Sequence, residues 1–262
     1  MFETYFIPVL IFAALGVLAG ILLTVVSKIF AVETDPRIDE VNEALPQVNC
    51  GACGFSGCSE YARAIVEDGV QPNLCKPGGN NSADKIAEIM GVNAGTAEKL
   101  VAIVRCSGNC ETEKNDFMFD GYGTCRNAKR FYGGKWACKY GCLGYGDCIE
   151  VCPTGAVSVT EGLANISASK CIGCGLCAKA CPNEIIDIRK VGKIADVKCS
   201  SKDMGKVVRT VCKSGCIGCK ICEKQCDFDA IHVTDNIARV DYEKCTGCGK
   251  CAGKCPAHVI EI

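Results

Sequence analysis

Hydrophobic and polar positions divide the 262-residue chain into stretches of unlike character. From Thr4 to Ser27 there is no charged residue, and this Leu-, Ile- and Val-rich run is long enough to span a bilayer as one helix. A cleaved signal peptide fits less well. Glu3 stands where a basic start belongs, the run exceeds the usual apolar core of a signal, and no Ala-x-Ala site follows. Lys28 and Arg37 follow the span while only Glu3 precedes it, which predicts that the rest of the chain stays on the cytoplasmic side. Gly16 and Gly20 form a small-xxx-small pair, read either as a contact for another helix or as two glycines tolerated in lipid. After a break at Asp35-Pro36, residues 38–45 predict a short helix that stops at Pro46, and Ser59 to Val66 predict another. Toward the C-terminus the pattern becomes strand, turn, strand. Residues 156–159 and 163–166 flank Glu161-Gly162, and residues 230–233 and 237–240 flank Asp235-Asn236.

Composition adds chemistry to this outline. Cys occurs 25 times, while Trp, Tyr and Phe together number 17, so small modules held by metal are expected rather than one large core. An apolar share of 48 % with a net charge of -1 excludes disorder. The 29 Lys plus Arg against 30 Asp plus Glu exclude a simple nucleic-acid binder. Cys count alone leaves bridges, zinc and iron-sulfur clusters open, but a reducing cytoplasmic side disfavours bridges.

The first Cys group is Cys50, Cys53 and Cys58, with Gly51, Gly54 and Gly57 between them, and Cys75 returning from a turn. The glycines let the backbone fold tightly around a bulky inorganic ligand. Cys58 opens a predicted helix, where negative charge is favoured. Four thiolates suit zinc or iron, and the spacing, which is not a pair of Cys-x-x-Cys knuckles, favours one [4Fe-4S] cluster. The surrounding segment 33–90 is acidic, with ten Asp or Glu against four Lys or Arg.

An internal repeat follows. Cys171-x2-Cys174-x2-Cys177-x3-Cys181-Pro182 and Cys245-x2-Cys248-x2-Cys251-x3-Cys255-Pro256 match the bacterial ferredoxin run, in which three thiolates hold one cluster and the fourth reaches another. Cys216, Cys219, Cys222 and Cys226 repeat that spacing upstream, and Cys138, Cys142, Cys148 and Cys152 are a stretched version. Eighteen residues separate Cys152 from Cys171 and again Cys226 from Cys245, so the two copies are one module twice. Crossed ligation assigns Cys138, Cys142, Cys148 and Cys181 to one cluster and Cys152, Cys171, Cys174 and Cys177 to the next. In the second copy it assigns Cys216, Cys219, Cys222 and Cys255, then Cys226, Cys245, Cys248 and Cys251. Two departures stand out: the stretched first run, and Asp227 in place of the usual Pro after Cys226. Cys106, Cys110, Cys125, Cys199 and Cys212 remain. They read either as buried free thiols or as a sixth cluster site, built from Cys106 or Cys110 with Cys125, Cys199 and Cys212.

Other chemistry is sparse. There is no Gly-x-Gly-x-x-Gly after a strand, no phosphate loop and no haem attachment motif, and His232 and His258 read as structural. No catalytic residue is expected in the chain. A chain of this kind conducts electrons. Ten Lys or Arg between Arg189 and Lys224 face only Asp196, Asp203 and Glu223. That excess either compensates anionic clusters or forms a docking patch for an acidic redox protein.

The anchor, the Cys50, Cys53, Cys58 and Cys75 quartet and the ferredoxin-type modules, in that order, closely resemble the B-subunit family of the Rnf ion-translocating electron transport complex. The resemblance implies a membrane translocase that passes electrons from reduced soluble ferredoxin to NAD and exports Na+ or H+. This chain would be its ferredoxin-side wire, with flavin and NAD sites on other integral and peripheral subunits. The expected protein is thus α+β, with a transmembrane anchor at 1–32 and a [4Fe-4S] domain at 33–92. A linker or Cys-containing insertion at 93–135 leads to a two-cluster module at 136–190. A basic Cys-containing connector at 191–212 leads to a second at 213–262. At least five [4Fe-4S] clusters are expected, in a single-pass protein of a bacterial or archaeal cytoplasmic membrane that touches lipid and no nucleic acid. The alternatives are an electron-transfer subunit of a hydrogenase or molybdoenzyme, and a zinc-stabilised scaffold.

Overall fold

The computed structural model describes residues 2–29, 35–96, 98–109, 111, 123–131 and 133–262; Cys110 lies outside them. The apolar run forms one helix, α1 (Phe2–Ile29), and its segment Leu10–Lys28 is long and apolar enough to cross a membrane. Its side chains are exposed throughout that segment, as a lipid-facing helix requires. The Thr24 hydroxyl donates back to the Gly20 carbonyl at 2.7 Å, so it carries no unmet hydrogen bond into that surface.

Three helices form the next unit: α2 (Arg37–Ala44), α3 (Cys58–Glu67) and α4 (Gly79–Met90). Val41, Tyr61, Ile65 and Ile86 meet at its centre, together with Cys75. Tyr61 locks the turn that delivers Cys75. Its phenol donates to the Gln71 carbonyl at 2.6 Å and accepts the Leu74 N–H at 3.1 Å. Burial pushes that phenol up to about 12, so it stays a donor across the physiological range.

The first module contains β1 (Leu100–Val104), α5 (Cys125–Arg130), α6 (Asp147–Glu150), β2 (Val157–Thr160), β3 (Leu163–Ile166), α7 (Leu176–Ala180) and β4 (Ile186–Lys190). The second contains β5 (Asp196–Val197), α8 (Gly205–Val211), α9 (Ile221–Lys224), β6 (Ile231–Thr234), β7 (Ile237–Val240), α10 (Lys250–Gly253) and β8 (Ile260–Glu261). Both expected hairpins form, β2 with β3 and β6 with β7. Glu161 and Gly162, like Asp235 and Asn236, take the positive φ values of the turn that matches strand twist.

Four strands, β1, β4, β5 and β8, lie where the sequence pattern gave no element. β1 comes from the segment expected as a linker and pairs antiparallel with β4, with Ala102 opposite Ile188. β5 comes from the connector and pairs with β8 at the chain's end. Each module is therefore closed by a strand that precedes its Cys runs. Glycine permits the closure: Gly173 and Gly247 have φ of 66° and 68°, and a Cβ there would sit 2.7 Å from the Leu100 carbonyl and 2.0 Å from the Lys193 carbonyl.

The modules are joined by polar contacts of matching geometry. Ser107 donates to the Lys198 carbonyl at 3.2 Å, and Ser200 donates to the Arg105 carbonyl at 2.9 Å. Arg105 and Lys198 are equivalent in the repeat, since their N–H groups bond to Ile185 and Val259 carbonyls in the same way. The Arg189 guanidinium makes two bonds to the Asp196 carboxylate, 2.8 and 2.7 Å, with both side chains about 10 % exposed. A fork geometry of this kind fixes orientation as well as distance.

Candidate metal centres

Backbone N–H groups reach the sulfurs in a pattern that repeats. Ala156 N–H points to Cys152 Sγ at 3.3 Å, as Ala230 N–H does to Cys226 Sγ. Ala102 in β1 and Ala195 just before β5 donate their N–H groups to Cys171 and Cys245 Sγ at 3.4 Å. N–H groups aimed at sulfur stabilise the thiolate and raise the potential of a cluster held there.

Cys50, Cys53, Cys58 and Cys75 come together around the start of α3. Burial pushes the Cys75 thiol up to about 11, and the neighbouring thiols of Cys58, Cys53 and Cys50 push it the same way. The Cys58 N–H is capped by Asn49 Oδ1 at 2.8 Å. In the first module burial, then the neighbouring thiols of Cys174, Cys171 and Cys152, raise Cys177 to about 11. In the second module Cys222 faces Cys216, Cys219 and Cys255 and is raised, chiefly by burial, to about 12. Cys226, Cys245, Cys248 and Cys251 line one pocket. These four groupings are those that the spacing predicts.

The remaining cysteines group differently from the expectation. The pocket that holds Cys142, Cys148 and Cys181 is completed by Cys125 and not by Cys138. Burial, then Cys142, Cys125 and Cys181, push the Cys148 thiol up to about 12. Cys138 lines another pocket with Cys106, Cys199 and Cys212. The repeat explains the exchange. Cys138-x3-Cys142 corresponds to Cys212-x3-Cys216, which places Tyr145 at the position of Cys219. The first module thus lacks the middle thiol of its run. Its longer segment between Cys106 and Cys138, 31 residues against 12 between Cys199 and Cys212, supplies Cys125 from α5 instead.

The pocket of Cys106, Cys138, Cys199 and Cys212 lies between the modules and draws two equivalent thiols from each. The Cys142 N–H donates to Cys106 Sγ at 3.4 Å, and the Cys216 N–H donates to Cys199 Sγ at 3.3 Å. A residue of each flanking quartet therefore touches this one. At the other end of the first module, the Cys50 thiol is among the neighbours that raise Cys174, after burial itself. Within each module, α6, α7, α9 and α10 each present a thiol to one quartet, with a thiol of the neighbouring quartet just beyond the helix end.

The donor sets fit polynuclear clusters. A single zinc ion needs four sulfurs converging at about 2.3 Å from one point. Four pockets are each lined by four cysteines, the arrangement that a four-iron cluster needs. Cys219 and Cys248, one at each site of the second module, are the exposed cysteines among those described.

Family models agree in position. An Fe-S cluster family matches residues 45–77, and 4Fe-4S binding domain families match residues 164–187, 238–261 and 213–229. The chain is similar over 99 % of its length, at 43 % identity, to the B subunit of the Na(+)-translocating ferredoxin:NAD(+) oxidoreductase complex of Acetobacterium woodii, of which it covers 78 %. It is 43 % identical to the B subunit of the proton-translocating ferredoxin:NAD(+) oxidoreductase complex of Clostridium ljungdahlii, over 99 % of this chain and 93 % of that one. To the B subunit of the ion-translocating oxidoreductase complex of Methanosarcina acetivorans it is 40 % identical, over 96 % of each.

Proposed function

The chain belongs to the B-subunit family of ion-translocating ferredoxin:NAD(+) oxidoreductase complexes, and from that premise we propose that it is the complex's membrane-anchored wire, with six [4Fe-4S] sites in line. The observation that carries this reading is the unbroken succession of quartets. The Cys50 quartet adjoins that of Cys152, Cys171, Cys174 and Cys177. Next come Cys125, Cys142, Cys148 and Cys181, then the bridging set Cys106, Cys138, Cys199 and Cys212. Beyond the bridge stand Cys216, Cys219, Cys222 and Cys255, and finally Cys226, Cys245, Cys248 and Cys251. A [4Fe-4S] cluster supplies one-electron chemistry when bound. The residues of this chain hold the sites and fix their sequence. α1 anchors the line at the cytoplasmic face, which leaves lipid, the other subunits and their flavin and NAD sites at its near end. Relatives at this identity favour that role over a hydrogenase or molybdoenzyme subunit.

Soluble ferredoxin docks at the far end. Of the basic stretch, Arg189, Lys190 and Lys198 are committed to Asp196, to Glu98 and Glu243, and to Glu261. Lys202, Lys206, Arg209, Lys213, Lys220 and Lys224 are exposed and make no ion pair among the described residues. Met204, Val207 and Ile221 stand exposed among them. The start of α8 abuts the loop that carries Cys216 and Cys219, since a Cβ on Gly205 would lie 2.5 Å from the Ile217 carbonyl. An apolar centre with a cationic rim beside an exposed ligand suits an acidic redox partner. Neutralising Lys202, Lys206 and Arg209 together is expected to slow reduction by ferredoxin at low salt by about tenfold or more and to flatten its salt dependence. Stopped-flow reduction across an ionic-strength series checks this, and an unchanged rate and slope would remove the patch from the account.

A further inference from the structure

We propose that Lys179 is the positioning residue for electron transfer between the membrane-proximal domain and the first ferredoxin-like module, an inference that rests on the line of sites just described. The helix α2 packs on both α3 and α4, and among the described residues no pair of elements joins these helices to the module with comparable packing. Orientation across that junction therefore depends on individual bonds. Lys179 lies on α7 between Cys177 and Cys181, so its stem is fixed by a helix whose two ends serve neighbouring quartets. Its ammonium donates to the Cys50 carbonyl at 2.8 Å. The carbonyl belongs to a residue of the membrane-proximal quartet, and the lysine follows one residue of the adjoining quartet and precedes one of the next.

Burial raises the Cys174 thiol, and the Cys50 thiol across this junction is among the neighbours that raise it further. Clusters there are anionic with their thiolates, and they repel. The exposed Lys179 ammonium offsets part of that repulsion, and its charged hydrogen bond ties the Cys50 loop to α7. One electron crosses, the donor site being oxidised and the acceptor site reduced, with no bond made and no proton moved. Arginine retains charge and donors and is expected to keep the contact, whereas methionine keeps the stem alone.

The test uses the full-length chain with its clusters, anaerobically reduced, as wild type, Lys179→Met and Lys179→Arg. Expected in Lys179→Met are a wild-type iron content, loss of the spin-spin splitting between the Cys50-site and Cys174-site clusters, and faster amide exchange at residues 50–54. Lys179→Arg restores splitting and protection. Unchanged splitting and exchange in Lys179→Met with full iron would overturn the role of Lys179 and leave the wire intact. Iron missing already from the wild-type sites would instead overturn the reading on which it rests.

Discussion

Replacing Cys199 by alanine is expected to cut the line of sites in two. Cys199 is buried, its thiol lines the pocket between the modules, and it accepts the N–H of Cys216, a cysteine of the next quartet. Its thiol is also raised, chiefly by burial, so it stays protonated and inert unless a metal binds there. The variant should lose one cluster and keep five. Ferredoxin should then still reduce the two sites of the second module. The three sites on the membrane side should fall to background reduction by ferredoxin while remaining reducible by dithionite, which needs no docking surface. Wild-type ferredoxin reduction of all remaining clusters would mean that the bridge is not in the path.

The second large effect separates the two assignments of Cys125 and Cys138. If Cys125 completes the quartet of Cys142, Cys148 and Cys181, then Cys125→Ala, Cys142→Ala and the double variant all lose the same single cluster. Cys138→Ala combined with Cys142→Ala should lose two. Pairing by nearest spacing along the chain predicts the reverse, one cluster for Cys138 with Cys142 and two for Cys125 with Cys142. Residues that act on one site are non-additive and residues on separate sites add, so iron content in this cycle reads the ligand sets directly. Cys138→Ala with Cys199→Ala provides the control, since both line the bridging pocket and should together remove one cluster.

Much of this is legible in the sequence. Both hairpins announce themselves by short apolar alternation around turn residues, and the helix opening at Cys58 follows a glycine-rich loop. Four quartets follow from spacing because their ligands are near in sequence or repeat a known run. β5 is illegible because it is two residues long and exists only through pairing with β8 at the chain's other end. β1 is a short run, Leu100-Val-Ala-Ile-Val104, whose partner lies beyond two hairpin strands and three helices. The exchange of Cys125 and Cys138 does leave a signal. Tyr145, standing where the second copy has Cys219, marks a missing thiol, and Cys138-x3-Cys142 repeats as Cys212-x3-Cys216. Aligning the modules on those pairs, rather than reading each run along the chain, assigns Cys138 and Cys212 to equivalent places in one shared site.

We propose that this one chain holds six four-iron clusters in series. Quantitative iron, sulfide and zinc analysis of the anaerobically purified full-length chain, with Mössbauer spectroscopy of the same sample, tests it most directly. Six clusters require about 24 iron and as much sulfide per chain, four of each per cluster, all in [4Fe-4S] form, with zinc absent. Stoichiometric zinc, or iron near 20 with the bridging thiols free to alkylate, would contradict it.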